Sequence, residues 1–152
     1  MQNTDIQIRE GKPEDIPQVL GLIKELAEYE KALNEVVNTE EQLLEDGFGK
    51  NPLYGLYVAE TKGKLVGMAL FFYRYSTWKG KVMYLEDIYV QPEYRGNKLG
   101  QSFFEVLIER AKKEKCARVA WQVLEWNKPA IHFYEKLGAE FDAEWVNSFI
   151  VL

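Results

Sequence analysis

Tyr84-Leu85-Glu86-Asp87-Ile88-Tyr89-Val90-Gln91-Pro92-Glu93-Tyr94-Arg95-Gly96-Asn97-Lys98-Leu99-Gly100 is the stretch that settles the fold. It opens on an apolar and aromatic run of the kind that fills a buried strand, and Pro92 and Gly96 then break it. A helical pattern follows from Leu99 to about Lys113, with Phe103, Phe104, Leu107, Ile108 and Ala111 on one face. A strand that passes through a glycine-containing loop straight into a helix presents unpaired backbone N–H groups beside the positive end of the helix dipole. That combination holds an anion such as a pyrophosphate, and Arg95 and Lys98 add positive charge there. Many α/β connections of this shape bind nothing. Neither the Gly-x-x-x-x-Gly-Lys phosphate loop nor the Gly-x-Gly-x-x-Gly dinucleotide fingerprint occurs.

Upstream of this junction the pattern is that of strands. Leu56 to Glu60, Leu65 to Tyr75 and Val82 to Val90 are joined by turns at Thr61-Lys62-Gly63-Lys64 and Trp78-Lys79-Gly80-Lys81, which predicts an antiparallel meander. Further upstream, Ile6 to Glu10 alternates like a strand. Lys12-Pro13-Glu14-Asp15 then opens a helix whose apolar positions are Ile16, Val19, Leu20, Ile23, Leu26 and Ala27. Thr39 with Gln42 makes a capping pattern for a short second helix that Gly47 is expected to stop.

Downstream, Arg118 to Trp126 reads as a strand. Asn127 caps a short helix with Pro129 in its first turn and Gly138 at its end, and Phe141 to Leu152 reads as one or two final strands. The order β-α-α-β-β-β-α-β-α-β predicts an α/β sandwich with a mixed, mostly antiparallel sheet flanked by helices.

A chain of 152 residues, 47% hydrophobic, suits one domain with a sizeable core, and no repeat or linker divides it. The N-terminus is polar, and no apolar run approaches the roughly 20 residues of a membrane span. The expectation is a soluble, cytoplasmic protein with no membrane partner. One cysteine, Cys116, and one histidine, His132, argue against a disulfide framework and against a cysteine or multi-histidine metal site. A formal net charge of −5 argues against nucleic acid as a partner and favours a cationic one, although many cytosolic enzymes are equally acidic.

The loop Arg95-Gly96-Asn97-Lys98-Leu99-Gly100 after Tyr84 to Val90, and the later run Asn127 to Gly138 with Phe133-Tyr134, together resemble the Gcn5-related N-acetyltransferases (GNAT). Ile23 to Ala27, Leu43 to Gly49, Tyr84 to Asp87 and Glu125 to Asn127 are similar to the diamine (spermidine/spermine) acetyltransferase branch, which includes the thialysine acetyltransferases.

The resemblance implies a homodimeric enzyme that uses acetyl-CoA, without a metal, to acetylate a small primary amine by direct attack. It implies acetyl-CoA contacts at Ile88, Tyr89, Val90, Arg95, Gly96, Asn97, Lys98, Leu99, Gly100, Gln101, Asn127, Pro129, Ala130 and Tyr134. It places the amine among Tyr29, Glu30, Trp78, Glu86 and Asp87. Two departures stand out. Lys98 occupies the family's middle loop glycine, and Ser76-Thr77 stand where the polyamine enzymes carry an acidic residue before the tryptophan.

The chemistry needs a neutral amine, yet an alkylammonium of pKa about 10.4 is protonated at pH 7. Glu86 is the candidate base, or else a carboxylate that only binds the cation. Asp87 points to the other face if the strand is regular. Tyr134 is the candidate acid for the departing thiolate, or else an aromatic packed between helix and sheet. Asn127 is an N-cap that is also compatible with a pantetheine contact. Cys116 reads as a small buried side chain and His132 as an exposed one. Two other readings remain: a protein N-acetyltransferase, and a non-catalytic acyl-CoA sensor that would need neither Glu86 nor Tyr134.

Overall fold

The structure, a computed structural model, describes residues 5–152; residues 1–4 of the polar N-terminus lie outside the described residues. The chain forms two compact units, Met1–Gln122 and Val123–Leu152.

The first unit is built on a five-stranded sheet in the order β1 to β5, with β1 at Gln7–Glu10, β2 at Gly55–Thr61, β3 at Lys64–Ser76, β4 at Gly80–Val90 and β5 at Arg118–Ala120. The first four strands pair antiparallel and β5 joins β4 in parallel, so the sheet is mixed as expected. Lys62 and Gly63 turn β2 into β3 with φ of 51° and 78°. Two positive φ values in succession make the tight hairpin turn whose twist matches the strands. At the next turn Gly80 takes φ 99°, and the Ser76 hydroxyl accepts from the Trp78 and Lys79 amides at 3.3 and 3.1 Å.

Helix α1, Ile16–Tyr29, enters through a 3₁₀ turn at Pro13–Asp15. Asp15 is buried there, accepts the Lys12 amide at 2.7 Å and pairs with Arg9 at 2.8 Å. The apolar stripe of α1 covers one face of the sheet: Val19 and Leu22 pack with Leu56, Val58, Met68, Leu70 and Tyr89, and Ile23 and Leu26 close the edge. Helix α2, Glu40–Phe48, starts where the Thr39 hydroxyl accepts the Gln42 amide at 3.1 Å. Gly47 does not stop it. The Tyr54 ring lies where a Gly47 Cβ would go, so this glycine admits a close approach, and the helix ends at Gly49. Helix α3, Leu99–Lys113, lies on the opposite face, where Phe103 meets Gly67 and Arg110 stands over the Tyr57 and Phe71 rings.

The expected strand over Arg118 to Trp126 is only Arg118–Ala120. It pairs with Val82, Met83 and Tyr84, and the ladder stops just before an irregularity in β4.

The second unit holds α4, Lys128–Lys136, with Asn127 accepting the Ala130 amide at 3.4 Å and Gly138 at φ 84° beyond its end. Tyr134 is buried and His132 exposed. The expected final strands are absent from the described residues: 140–152 carry no strand, and Trp145, Val146, Phe149, Ile150, Val151 and Leu152 are exposed.

Candidate active site

β4 organises the site through a break in its own regularity. Leu70 of β3 pairs with Asp87 and the next residue, Phe71, pairs with Leu85, so Glu86 has no opposite number. One extra residue on one strand is a β-bulge, which bends the strand and re-aims its side chains. Strict alternation would put Asp87 on the face away from Glu86, as the sequence suggested. The bulge cancels that inference. Asp87 stands opposite Leu70 on the face that α1 covers, and Glu86 is exposed beside it.

β4 also has an open edge. β4 is laddered to β3 along its length but to β5 only at Val82, Met83 and Tyr84. From Leu85 to Val90 its other edge has no strand partner among the described residues, which leaves a row of main-chain groups to which an extended amide chain can add like a strand. Ile88, Tyr89 and Val90 lie on that row. The Tyr89 side chain is engaged elsewhere, with its ring in the core and its hydroxyl donating to Glu25 at 3.4 Å.

Beyond β4 the loop leads into the N-terminus of α3. After a 3₁₀ turn at Pro92–Tyr94 the chain takes φ 89° at Gly96 and 58° at Lys98, and α3 begins at Leu99. The first N–H groups of α3 therefore face forward with no helical acceptor behind them. Lys98 shows that its position does not need glycine: it takes the left-handed conformation itself, at a cost of roughly 1–2 kcal/mol for a side-chain-bearing residue.

Arg95 and Asn97, expected among the acetyl-CoA contacts, also brace the loop. Arg95 Nε donates to the Val90 carbonyl at 3.0 Å, with its guanidinium 5.9 and 5.8 Å from the centres of the Tyr29 and Tyr89 rings. Asn97 Nδ2 donates to the Tyr94 carbonyl at 2.9 Å. Gln101, in the first turn of α3, donates to Glu105 at 3.2 Å.

Two residues of this bracing were invisible in the sequence. Glu25 of α1 accepts from Gln91 Nε2 at 3.1 and 3.3 Å and from the Tyr89 hydroxyl, tying the helix to the start of the loop. Gln91 Oε1 is buried without a partner. Nothing local marks either residue, because their contacts span more than sixty positions of sequence.

The electrostatics of the bulge are acidic. Burial, then the charges of Glu86 and Glu30, push the Asp87 carboxyl up to about 6. Burial also raises Glu30, which caps the C-terminal end of α1. Burial and then Glu86 raise the Tyr84 phenol, which the Arg74 guanidinium over its ring partly offsets. Glu30, Glu86 and Asp87 thus come together, with Tyr29 one residue along α1. Trp78 does not join them: it is 82% exposed at the tip of the β3–β4 hairpin. At about 3.3 Å per residue that tip lies roughly 20 Å along β4 from Glu86. In the second unit Tyr134 is 7% exposed, its ring 5.6 Å from that of Phe133, and Pro129 and Ala130 form the first turn of its helix.

These features agree with what the chain resembles among known proteins. The Acetyltransferase (GNAT) family model matches residues 22–139. A thialysine N-epsilon-acetyltransferase of Bos taurus is 44% identical over 143 residues, covering 89% of this chain and 84% of its own. A spermidine/spermine N(1)-acetyltransferase-like protein 1 of Homo sapiens is 40% identical over 88% of this chain, which spans only 20% of that longer protein. The crystal structure of an aminoglycoside acetyltransferase from an uncultured soil metagenomic sample superposes with a TM-score of 0.80 over 99% of this chain and 98% of its own. At 16% identity, that match shows the fold alone. A strand bulged beside an open edge, a loop that leads into the unpaired first amides of a helix, and a family match over most of the length place this chain in the GNAT family of acetyltransferases, enzymes that take their acetyl group from acetyl-CoA.

Proposed function

We propose that the protein transfers the acetyl group of acetyl-CoA to the primary amine of a small cationic substrate, a diamine or a lysine-like amine, by direct attack without an acyl-enzyme. The observation that carries this reading is the convergence of Glu30, Glu86 and Asp87 on the β4 bulge, next to the strand edge suited to the donor's amide-bearing arm. An alkylammonium group is the ligand such a cluster needs, since it offsets the mutual repulsion of the carboxylates. The 44% identity to a thialysine N-epsilon-acetyltransferase supports the same class. The acidic anchor expected before Trp78 is replaced by Ser76-Thr77, so a long polyamine loses one contact and shorter amines compete well.

In this reading the amides from Gly96 to Gly100, with Lys98 and the adjoining Gln101, hold the pyrophosphate of acetyl-CoA. The main chain of Ile88, Tyr89 and Val90 pairs with its pantetheine arm, and Asn127, Pro129 and Ala130 add contacts. Arg95 and Asn97 keep the loop in shape. A carboxylate at the bulge takes the proton of the ammonium, and Tyr134 gives one to the departing thiolate. Burial of Tyr134 supports that role, because a phenol kept from bulk water donates where charge develops. Tyr29 is a half-exposed aromatic wall for the cation, whereas Trp78, at the hairpin tip, stands too far from the bulge to touch a small amine bound there. We read both compact units as one catalytic domain, and the protein as a cytoplasmic homodimer. The exposed apolar side chains of 145–152 offer surface for association.

The test is acetyl-CoA turnover across thialysine, lysine, putrescine, spermidine, spermine, a lysine-containing peptide and an aminoglycoside. Turnover of the small amines, with diamines or lysine-like amines at least rivalling spermine, is expected. Activity on the peptide or the aminoglycoside alone would overturn the reading. Tyr134→Phe should lower kcat roughly ten- to a thousandfold while leaving acetyl-CoA affinity nearly unchanged, because the phenol donates only in the transition state. An unchanged kcat returns Tyr134 to packing.

A further inference from the structure

The loop between β4 and α3 holds a costly shape. Gly96 and Lys98 take φ of 89° and 58°, and a side-chain-bearing residue keeps such a conformation only where its surroundings fix it. Within the loop Arg95 and Asn97 brace it. Upstream, where the chain leaves β4, the bracing comes from a different element, through Glu25 of α1.

Gln91 is the first residue after β4. Its main chain is committed on both sides: the amide donates to the Val66 carbonyl of β3 at 2.9 Å, and the carbonyl accepts from the Tyr94 amide at 2.9 Å across the 3₁₀ turn. Its side-chain amide is held from one end only. Nε2 donates to the two Glu25 oxygens at 3.1 and 3.3 Å, whereas Oε1 is buried without a partner. Turned over, that amide would set its oxygen against a carboxylate, so among the described residues Glu25 is what orients it. The same carboxylate accepts from the Tyr89 hydroxyl at 3.4 Å and so grips the end of the strand as well. One turn further along the same face of α1, the Tyr29 ring lies 5.9 Å from the Arg95 guanidinium, whose Nε holds the Val90 carbonyl. Helix α1 thus meets the segment 89–95 near both of its ends, just before the chain turns at Gly96.

We propose that Glu25 is a positioning residue for the acetyl donor. It touches neither acetyl-CoA nor the amine. By seating Gln91 and Tyr89 it fixes the point from which the loop departs, so that the first amides of α3 face the pyrophosphate. The proposal rests on the donor placement read above, with the pyrophosphate on the amides of Gly96 to Gly100. Without the Glu25 carboxylate the Gln91 side-chain amide has neither end paired in a site closed to water, a penalty relieved when Gln91 and the turn after it shift. A shift there moves every amide downstream of it.

The test compares wild type with Glu25→Ala, Glu25→Gln, Gln91→Met and the double variant Glu25→Ala/Gln91→Met. Alanine favours helix, so α1 is retained. Backbone amide chemical shifts of residues 96–100 in the free protein read the loop, and calorimetric titration with CoA reads the donor site without any amine, so a wrong substrate class leaves both readouts intact. Glu25→Ala and Gln91→Met should each displace the loop resonances and weaken CoA by about tenfold or more, the scale of a lost hydrogen bond to a charged group. Glu25→Gln keeps an oxygen for Gln91 Nε2 and should recover most of that affinity. The double variant should be no worse than the weaker single one, because both substitutions remove the same clamp. With the amine that turns over fastest, KM for acetyl-CoA should rise while kcat at saturating donor stays within about twofold of wild type, the mark of lost uniform binding. A purely structural role would lower the melting temperature and leave the donor KM unmoved.

Loop resonances and CoA affinity that match wild type in Glu25→Ala overturn the assignment, and so do losses that add in the double variant. Displaced loop resonances with unchanged CoA affinity overturn it differently, since they also remove the pyrophosphate from this loop and take the donor placement down with the proposal.

Discussion

Asp87 inverts the usual behaviour of a folded-state carboxylate, and its effect on stability follows from the direction of the change. Its pKa of about 6 lies above the ordinary 3.8, so the native state binds this proton more tightly than the unfolded chain does. The stability the group contributes is fully present below pH 3.8 and is lost as pH rises through about 6. At neutral pH the ionised side chain is therefore a liability of at most about 3 kcal/mol, the upper bound set by that gap. Asp87→Asn should be more stable than wild type at pH 7 by about 1–2 kcal/mol, because the amide keeps the shape without the charge. The difference should disappear near pH 3.5. Urea denaturation at both pH values checks this, and a variant that is less stable at pH 7 would show that burial does not penalise the Asp87 charge. Arg9 and Asp15 make the opposite case: each raises or lowers the other's pKa in the sense that keeps both ionised, and their pairing is structural.

At the scale of the elements, α4 couples a cap to a candidate acid. Asn127 accepts the Ala130 amide, and Tyr134 sits two turns along the same helix. Asn127→Ala should cost about 1 kcal/mol through the lost cap. Asn127→Ser restores an oxygen for the cap but not the amide group. If Asn127 also contacts the pantetheine arm, the serine variant should recover the melting temperature while KM for acetyl-CoA stays raised. Full recovery of both would leave Asn127 a cap alone. This cap was legible because capping chemistry is local, and so were α1, α3 and the meander, whose periods repeat over many residues.

The bulge at Glu86 was not legible. Val82 to Val90 is apolar on both faces for most of its length, so no break in alternation marks the extra residue, and the register is decided across the sheet by Leu70 and Phe71. The face read for Asp87 was conditional on a regular strand, and the bulge removes that condition. The final strands failed for a related reason: an apolar, β-prone run such as 145–152 shows that a segment can pair, not that an edge is available to it.

For the molecule as a whole, charge has both a sum and a distribution. The net formal charge is −5, and the three carboxylates at the bulge concentrate that sign where the amine is proposed to enter. Lys98 and the amides of α3 present the opposite sign at the loop. A protein so arranged should draw a cation toward one end of β4 over distances that salt controls. The screening length falls from about 30 Å at 0.01 M ionic strength to about 8 Å at 0.15 M, so attraction by the whole surface fades while contact within the site persists. With acetyl-CoA saturating, kcat/KM for the dication putrescine should fall severalfold over that range. For lysine, whose carboxylate cancels one of its two positive charges, the decline should be clearly smaller, and kcat should hold steady for both. The comparison separates long-range steering from local binding: equal salt sensitivity for the two amines would mean that only the ammonium seated at the bulge is felt, and that the net charge plays no part in choosing the substrate.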